Sequence, residues 1–139
     1  MTLHLLFVGR RRDAHANALA QEYIKRSSRF LACRMAEIDP RRFDLFQRHP
    51  AALKVFLDPA GEKFTSAQFQ GLVESTRLEA RDLVFLVGGH DGLPPEWRSR
   101  ADMLLSLTPL TLPHELARAV LAEQIYRALA AMNNHPYGR

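Results

Sequence analysis

The glycine run Gly88-Gly89-His90-Asp91-Gly92 is the first place in this 139-residue chain where residue types and spacing suit a ligand. It is not a nucleotide phosphate loop, because no Gly-Lys-Ser/Thr follows, and it lacks the Gly-x-Gly-x-x-Gly spacing of a dinucleotide fingerprint. Its position gives it weight: it leaves the apolar run Leu83-Val84-Phe85-Leu86-Val87, and parallel sheets bind ligands at the carboxyl ends of their strands. Leu57-Asp58 and Leu107-Thr108-Pro109 are two further exits of this kind. The segment Thr108-Pro109-Leu110-Thr111-Leu112-Pro113 has few reactive side chains but offers main-chain N–H and C=O groups between apolar walls, which suits a flat purine better than a phosphate. The other reading is a buried connection from strand to helix. Metal chemistry is not expected. His114-Glu115 has Arg118 where a zincin needs its second His, the single Cys33 excludes thiolate-rich zinc sites, and the other histidines are scattered.

The elements that must position these residues alternate strand and helix. Residues 3–8 read as a strand ended by Gly9, and residues 14–30 as a helix with Leu19, Tyr23 and Ile24 at helical spacing. Cys33, Met35 and Ile38 give a weaker strand, followed by a polar, Arg-rich connection to Pro50. Residues 52–58 form a strand ended by Pro59 and Gly61. Thr65 and Gln68 have capping-box spacing ahead of a helix that carries Phe69, Leu72 and Val73. Residues 83–87 are apolar on both faces of the pleat, as in a central parallel strand. A short helix over residues 95–100, a brief strand over 103–107 and a helix from near Pro113 to about Met132 complete one domain spanning residues 1–139. The fold class is α/β, a mostly parallel sheet with helices on both faces.

Composition excludes several classes. At 47% hydrophobic and 24% charged the chain is that of a globular domain able to bury a core without staples. The lone Cys33 gives no oxidising-compartment signal, and the opening apolar run is too short for a signal peptide or a membrane span, so a cytoplasmic protein is expected. The net charge of +4 is unevenly placed: residues 1–50 hold ten Lys/Arg against five Asp/Glu, while residues 51–139 hold nine against ten. Arg10, Arg11 and Arg12, with Arg41 and Arg42, make the N-terminal third a candidate nucleic-acid face. In the last helix, thirteen of the seventeen residues from Leu116 to Met132 are apolar. A sheet covers only one side of such a helix, which points to a second subunit on the other and hence to a homodimer.

Four ordered motifs carry a family resemblance that covers nearly the whole chain. They are Leu86-Val87-Gly88-Gly89-His90-Asp91-Gly92-Leu93, Leu110-Thr111-Leu112-Pro113-His114, Glu123-Gln124-Ile125-Tyr126-Arg127-Ala128 and Asn134-His135-Pro136-Tyr137. The sequence resembles the ribosomal RNA large subunit methyltransferase H family, one of the SPOUT methyltransferases. The resemblance implies a C-terminal trefoil knot (an α/β-knot), a homodimer and S-adenosylmethionine bound in the knot near the dimer interface. The cofactor contacts it implies are Leu57, Gly89, Thr108, Pro109, Leu110, Thr111, Leu112 and Pro113. The implied reaction is methylation of N3 of a pseudouridine in 23S rRNA on the assembled ribosome, without metal or membrane.

The imino nitrogen of pseudouridine must lose a proton to attack, so a base or a cation that stabilises the anionic ring would help. His114, His135 and Tyr137 are the candidate catalytic proton handlers, and Arg118, Arg127 and Arg139, with Arg10 and Arg11, the candidate holders of substrate RNA. These candidates have structural alternatives: His114 as a helix cap, Arg127 as the partner of Glu123, Tyr137 as packing for the tail. Two features depart from the family pattern. Gly138 stands where a His commonly follows Pro-Tyr, and the stretch between Ile38 and Leu53 is short. The alternatives are a noncatalytic ribosome- or RNA-binding knotted dimer and a related enzyme acting on tRNA.

Overall fold

Alternation along β1 (Thr2–Val8) sends Leu3, Leu5 and Phe7 to one face of a sheet and Leu6 to the other, and β4 (Leu83–Val87) repeats the pattern with Leu83, Phe85 and Val87 against Val84 and Leu86. All of these are buried, because both strands are covered on both faces. The structure, a computed structural model, describes residues 1–138. With β2 (Ala32–Ile38), β3 (Leu53–Lys63) and β5 (Met103–Ser106) they form one five-stranded sheet in the order β2-β1-β4-β3-β5, every pair parallel. β4 is the central strand.

The two faces are covered unequally. The long helices α1 (Ala14–Ser27), α3 (Ser66–Leu78) and α5 (His114–Met132) share the larger core, with α5 between the other two. The single-turn helices α2 (Leu45–Arg48) and α4 (Pro95–Arg98) cover the second face through Leu45 and Trp97. Asp13 caps α1 by accepting the Ala16 N–H at 3.0 Å, and Thr65 and Gln68 form the expected reciprocal box at α3.

β3 does not stop at Pro59. Its pairing with β5 breaks after Leu57 and resumes at Glu62, with both residues opposite Leu105. Pro59 has no N–H to give, and the Asp58 carboxylate turns the chain by accepting the Ala60 N–H at 2.8 Å. Gly61 is required where the strand returns, since a Cβ there would lie 2.5 Å from the Leu104 carbonyl carbon.

The last helix is also covered differently from expectation. Leu121, Ala122 and Ile125 are wholly buried by α1, α3 and the sheet of the same chain, each of the larger two contributing about 1.5–3 kcal/mol. What stays open on α5 is a narrow ridge: Leu116 is 41% exposed, and Val120 and Gln124 are half-buried beyond it. Near this ridge Leu110 is 75% exposed, while Leu78 and Leu19 are exposed elsewhere, on α3 and α1. None of the described helices is long and apolar enough to cross a membrane.

At the amino end of the sheet, His4 and His49 lie with ring centroids 4.5 Å apart, beside Asp82 and Phe43. Burial holds both imidazoles below their ordinary 6.5, with Asp82 opposing the shift. The unfolded chain therefore takes up these protons first as pH falls. Stability should be fully present above 6.5 and decline as pH falls from there through the lower folded values, a drop that thermal melts from pH 8 to 5 will show and that His49→Gln will flatten. Leu121→Asp and Ile125→Asp should abolish cooperative melting, because each buries an unpaired carboxylate. Leu116→Asp, on the exposed ridge, should keep a cooperative melt.

Candidate active site

β5 lies at the sheet edge, whereas α5 packs near the middle, so residues 107–113 must cross the carboxyl ends of β3 and β4. That crossing encloses a cavity of about 420 Å³ bounded by the exits of β3, β4 and β5 and by the start of α5. Leu57, Gly89, Thr108, Pro109, Leu110, Thr111, Leu112 and Pro113 all line it, together with His114. Ser106 Oγ donates to the Thr108 carbonyl at 3.0 Å, and Thr108 Oγ1 accepts the Leu110 N–H at 3.1 Å, which shapes the crossing loop from within. A Cβ on Gly88 would lie 2.7 Å from the Gly92 carbonyl carbon, so the turn closed by Gly92 N–H to the Gly89 carbonyl at 2.9 Å needs that glycine.

Sequence reasoning named Asp58, His90 and Leu107 at the strand exits without giving them a contact and missed Ser106, and all four also line the cavity. Each adjoins a residue already singled out, so the widths of the strand exits were the available signal. The Asp58 carboxylate accepts Arg98 Nε at 2.8 Å, and that bond, with the Ala60 N–H, holds it below the usual carboxylate range despite partial burial. His114 is not a cap: Pro113 precedes α5, and no side chain satisfies the first-turn N–H groups.

The tail lies elsewhere. Tyr137 and His135 line a second depression with Arg127, Ser66 and Gln70, at the far end of α5. Nineteen helical residues at 1.5 Å each put that end about 27 Å from His114. Within one protomer, then, the three candidate proton handlers do not meet. Tyr137 has the packing role that its polar setting concealed: its hydroxyl bonds Glu123 Oε1 at 3.0 Å and the Tyr23 hydroxyl at 3.2 Å, and its ring lies 4.6 Å from that of Tyr126. Burial and these bonds push its ionisation up, so it is a donor rather than a base at neutral pH. His135 Nδ1 accepts the Tyr137 N–H at 3.2 Å.

The arginines divide into three settings. Arg127 pairs with Glu123 at 2.7 Å and lies over the Tyr137 ring, as its structural alternative anticipated. Arg118 is corrected from RNA holder to interior residue: it is 0% exposed and bonded to Asn17 and to the carbonyls of Val8 and Gly9. Its Nε is the unpartnered buried side-chain atom among the described residues, a cost of about 1–3 kcal/mol that stacking 4.0 Å from the Phe7 ring centroid helps to offset. Arg10, Arg11 and Arg12 are exposed just past β1, and Arg41 and Arg42 just past β2, on the same carboxyl rim as the cavity. Arg139 lies outside the described residues. No group of three or more His, Cys, Asp or Glu able to hold a metal ion occurs among the described residues.

A parallel α/β sheet whose last edge strand sends its connection back across the strand ends, around a cavity lined by those ends, is the arrangement of a cofactor-binding α/β domain. A family model described as "Predicted SPOUT methyltransferase" matches residues 1–138. The ribosomal RNA large subunit methyltransferase H of Solibacter usitatus (strain Ellin6076) is 55% identical over 139 residues, covering 100% of both chains. Among solved structures, the tRNA (m1G37) methyltransferase of Aquifex aeolicus superposes with a TM-score of 0.61 at 16% identity, covering 100% of this chain and 75% of that one. The SpoU methyltransferase AviRb of Streptomyces viridochromogenes in complex with AdoMet gives 0.52 at 14% identity, covering 91% and 57%. This chain belongs to the SPOUT methyltransferases and, within them, to the ribosomal RNA large subunit methyltransferase H family.

Because the Tyr137 hydroxyl serves Glu123 and Tyr23, Tyr137→Phe should lower stability by about 1 kcal/mol, measured by urea unfolding, with cofactor affinity unchanged by calorimetry.

Proposed function

We propose that this chain is an S-adenosylmethionine-dependent methyltransferase acting on N3 of a pseudouridine in 23S rRNA, on the assembled ribosome, as a knotted homodimer. Support for the enzyme class is the convergence of three strand exits and residues 108–113 on one cavity, in a chain that shares its full length with a relative of that name. The residues present fit the cofactor. A cavity of about 420 Å³ is in the range for a ligand of this size, and residues 108–113 set backbone N–H and C=O groups between Leu57, Leu107 and Leu112 for a purine. The unsatisfied first-turn N–H groups of α5 suit the carboxylate at the other end of the molecule.

S-adenosylmethionine supplies a methyl group already activated by its sulfonium. The chain's own residues have to hold the base in line with that methyl, exclude water and take one proton from N3. We assign the proton to His114, which lines the cavity and carries a ring nitrogen able to accept it. Arg10, Arg11 and Arg12, with Arg41 and Arg42, face phosphate from the same rim, though Arg41 also serves Asp39 through a 3.0 Å pair.

The tail enters through a second copy. A two-fold axis crossing α5 near Val120 exchanges the helix ends, bringing the Tyr137 and His135 depression of one protomer to the cavity of the other, and the open ridge at Leu116, Val120 and Gln124 is the surface left for it. Tyr137 then offers an aromatic face and a hydroxyl to the base, and Arg127 a charge partly offset by Glu123. The noncatalytic reading and the tRNA reading have no observation here that favours them over this one.

Titration calorimetry in the presence of a chelator should give one cofactor site per chain. Labelled methyl should pass to assembled ribosomes and not to separated subunits or tRNA. Absence of binding heat together with absence of thermal stabilisation by the cofactor would overturn the enzyme reading.

A further inference from the structure

The first two turns of α5 carry a buried polar cluster that lies neither in the cavity nor on the charged rim. Glu115 Oε2 accepts the backbone N–H groups of Arg12 and Asp13, each at 2.9 Å, and the Asn17 side-chain amide at 2.6 Å. Three residues further on, Arg118 gives Nη1 to Asn17 Oδ1 at 3.1 Å and Nη2 to the Val8 and Gly9 carbonyls at 3.1 and 3.2 Å. The segment that carries Arg10, Arg11 and Arg12 is thus fastened at both ends to the same helix, at Gly9 by Arg118 and at Arg12 and Asp13 by Glu115.

The same fastening reaches the cavity wall. The Val8 carbonyl held by Arg118 packs against Gly89, where an added Cβ would lie 3.0 Å from that oxygen. Glu115 keeps its charge at any physiological pH, because the N–H groups of Asp13 and Arg12 draw its carboxyl down to about 2. Three exposed arginines on a short connection would otherwise have to be ordered when they meet phosphate, and holding them beforehand removes that cost.

We propose that Glu115 and Arg118 are positioning residues for the RNA substrate: without touching RNA or cofactor, they fix residues 10–12 on the rim so that the arginines meet phosphate in a set register with the cavity. This rests on the RNA-methylating reading above. Residues 10–12 are the only part expected to move when Glu115 is removed, since the crossing loop is shaped by Ser106 and Thr108.

The test uses the full chain, S-adenosylmethionine and assembled bacterial ribosomes, with binding followed by co-sedimentation so that it does not depend on turnover. In Glu115→Ala the Arg12 and Asp13 amides should lose protection from hydrogen exchange. Ribosome binding and the KM for ribosomes should weaken about tenfold, with kcat at saturating ribosomes and cofactor affinity within about twofold of wild type. Glu115→Gln keeps an acceptor and should recover most of the loss. Replacing Arg11 and Arg12 by Gln should cost less in the Glu115→Ala background than in wild type, the coupling expected of residues that act as a unit. Asn17→Ala, which removes the amide shared by Glu115 and Arg118, should weaken ribosome binding in the same direction and decides the matter if Glu115→Ala does not fold. Ribosome binding unchanged by either variant, or cofactor and ribosome affinity falling in parallel without rescue by Gln, would overturn the proposal. A wild-type protein that binds no ribosome overturns the RNA reading instead.

Discussion

The feature on which the rest of the molecule depends is the displacement between β5 and α5. The strand sits at the edge beside β3, the helix between α1 and α3 over the middle, and a short connection has to join them. With every strand parallel, the carboxyl ends all lie on one side, so residues 107–113 can make the journey only across those ends. The cavity follows from that route rather than from any reactive side chain. Its walls are mostly leucines, prolines and main chain, with Asp58, His90, Ser106 and His114 at the strand exits and the start of α5, a lining that suits the purine of S-adenosylmethionine.

Polar chemistry is placed around this dry centre in three separate settings. At the start of α5, a buried carboxylate and guanidinium tie the β1 exit to the helix, where their bonds are made in a low dielectric and hold geometry. On the rim, exposed arginines face solvent and suit the phosphate backbone of RNA. At the far end of α5, Glu123 gathers Arg127, the Tyr137 hydroxyl and, through it, Tyr23 into one cluster that folds the tail back on the helix. The same residue type therefore has opposite uses: Arg118 anchors backbone in the interior, Arg127 holds an aromatic ring, and Arg10 is free for a ligand.

The distance between the two ends of α5 keeps the tail and the cavity of one protomer apart, which is why the proposed reaction calls on a second copy. About 27 Å of helix separates the cavity from the tail, and a helix of this length does not bend to close such a gap. In the dimer we propose, two-fold symmetry across the open ridge of α5 would close it without any conformational change.

Sequence alone determined the parallel α/β architecture, the central place of β4 and the three strand exits, because these are written in local patterns: an apolar run on both faces of a pleat, a capping box at Thr65 and Gln68, and glycines and prolines at chain reversals. The eight cofactor contacts that the family resemblance implied also line the cavity, at strand exits that the apolar patterning had already marked. Only the tertiary structure decided the fate of individual charges and of the last helix. Arg118 and Arg10 look alike in a string of letters, and what separates them is that Asn17 and two backbone carbonyls, about a hundred residues away in the chain, converge with the neighbouring Glu115 on the first and not on the second. The apolar helix is likewise covered mostly by α1 and α3 of its own chain. Periodicity states that a surface must be buried, and only the packing of elements distant in sequence decides what buries it.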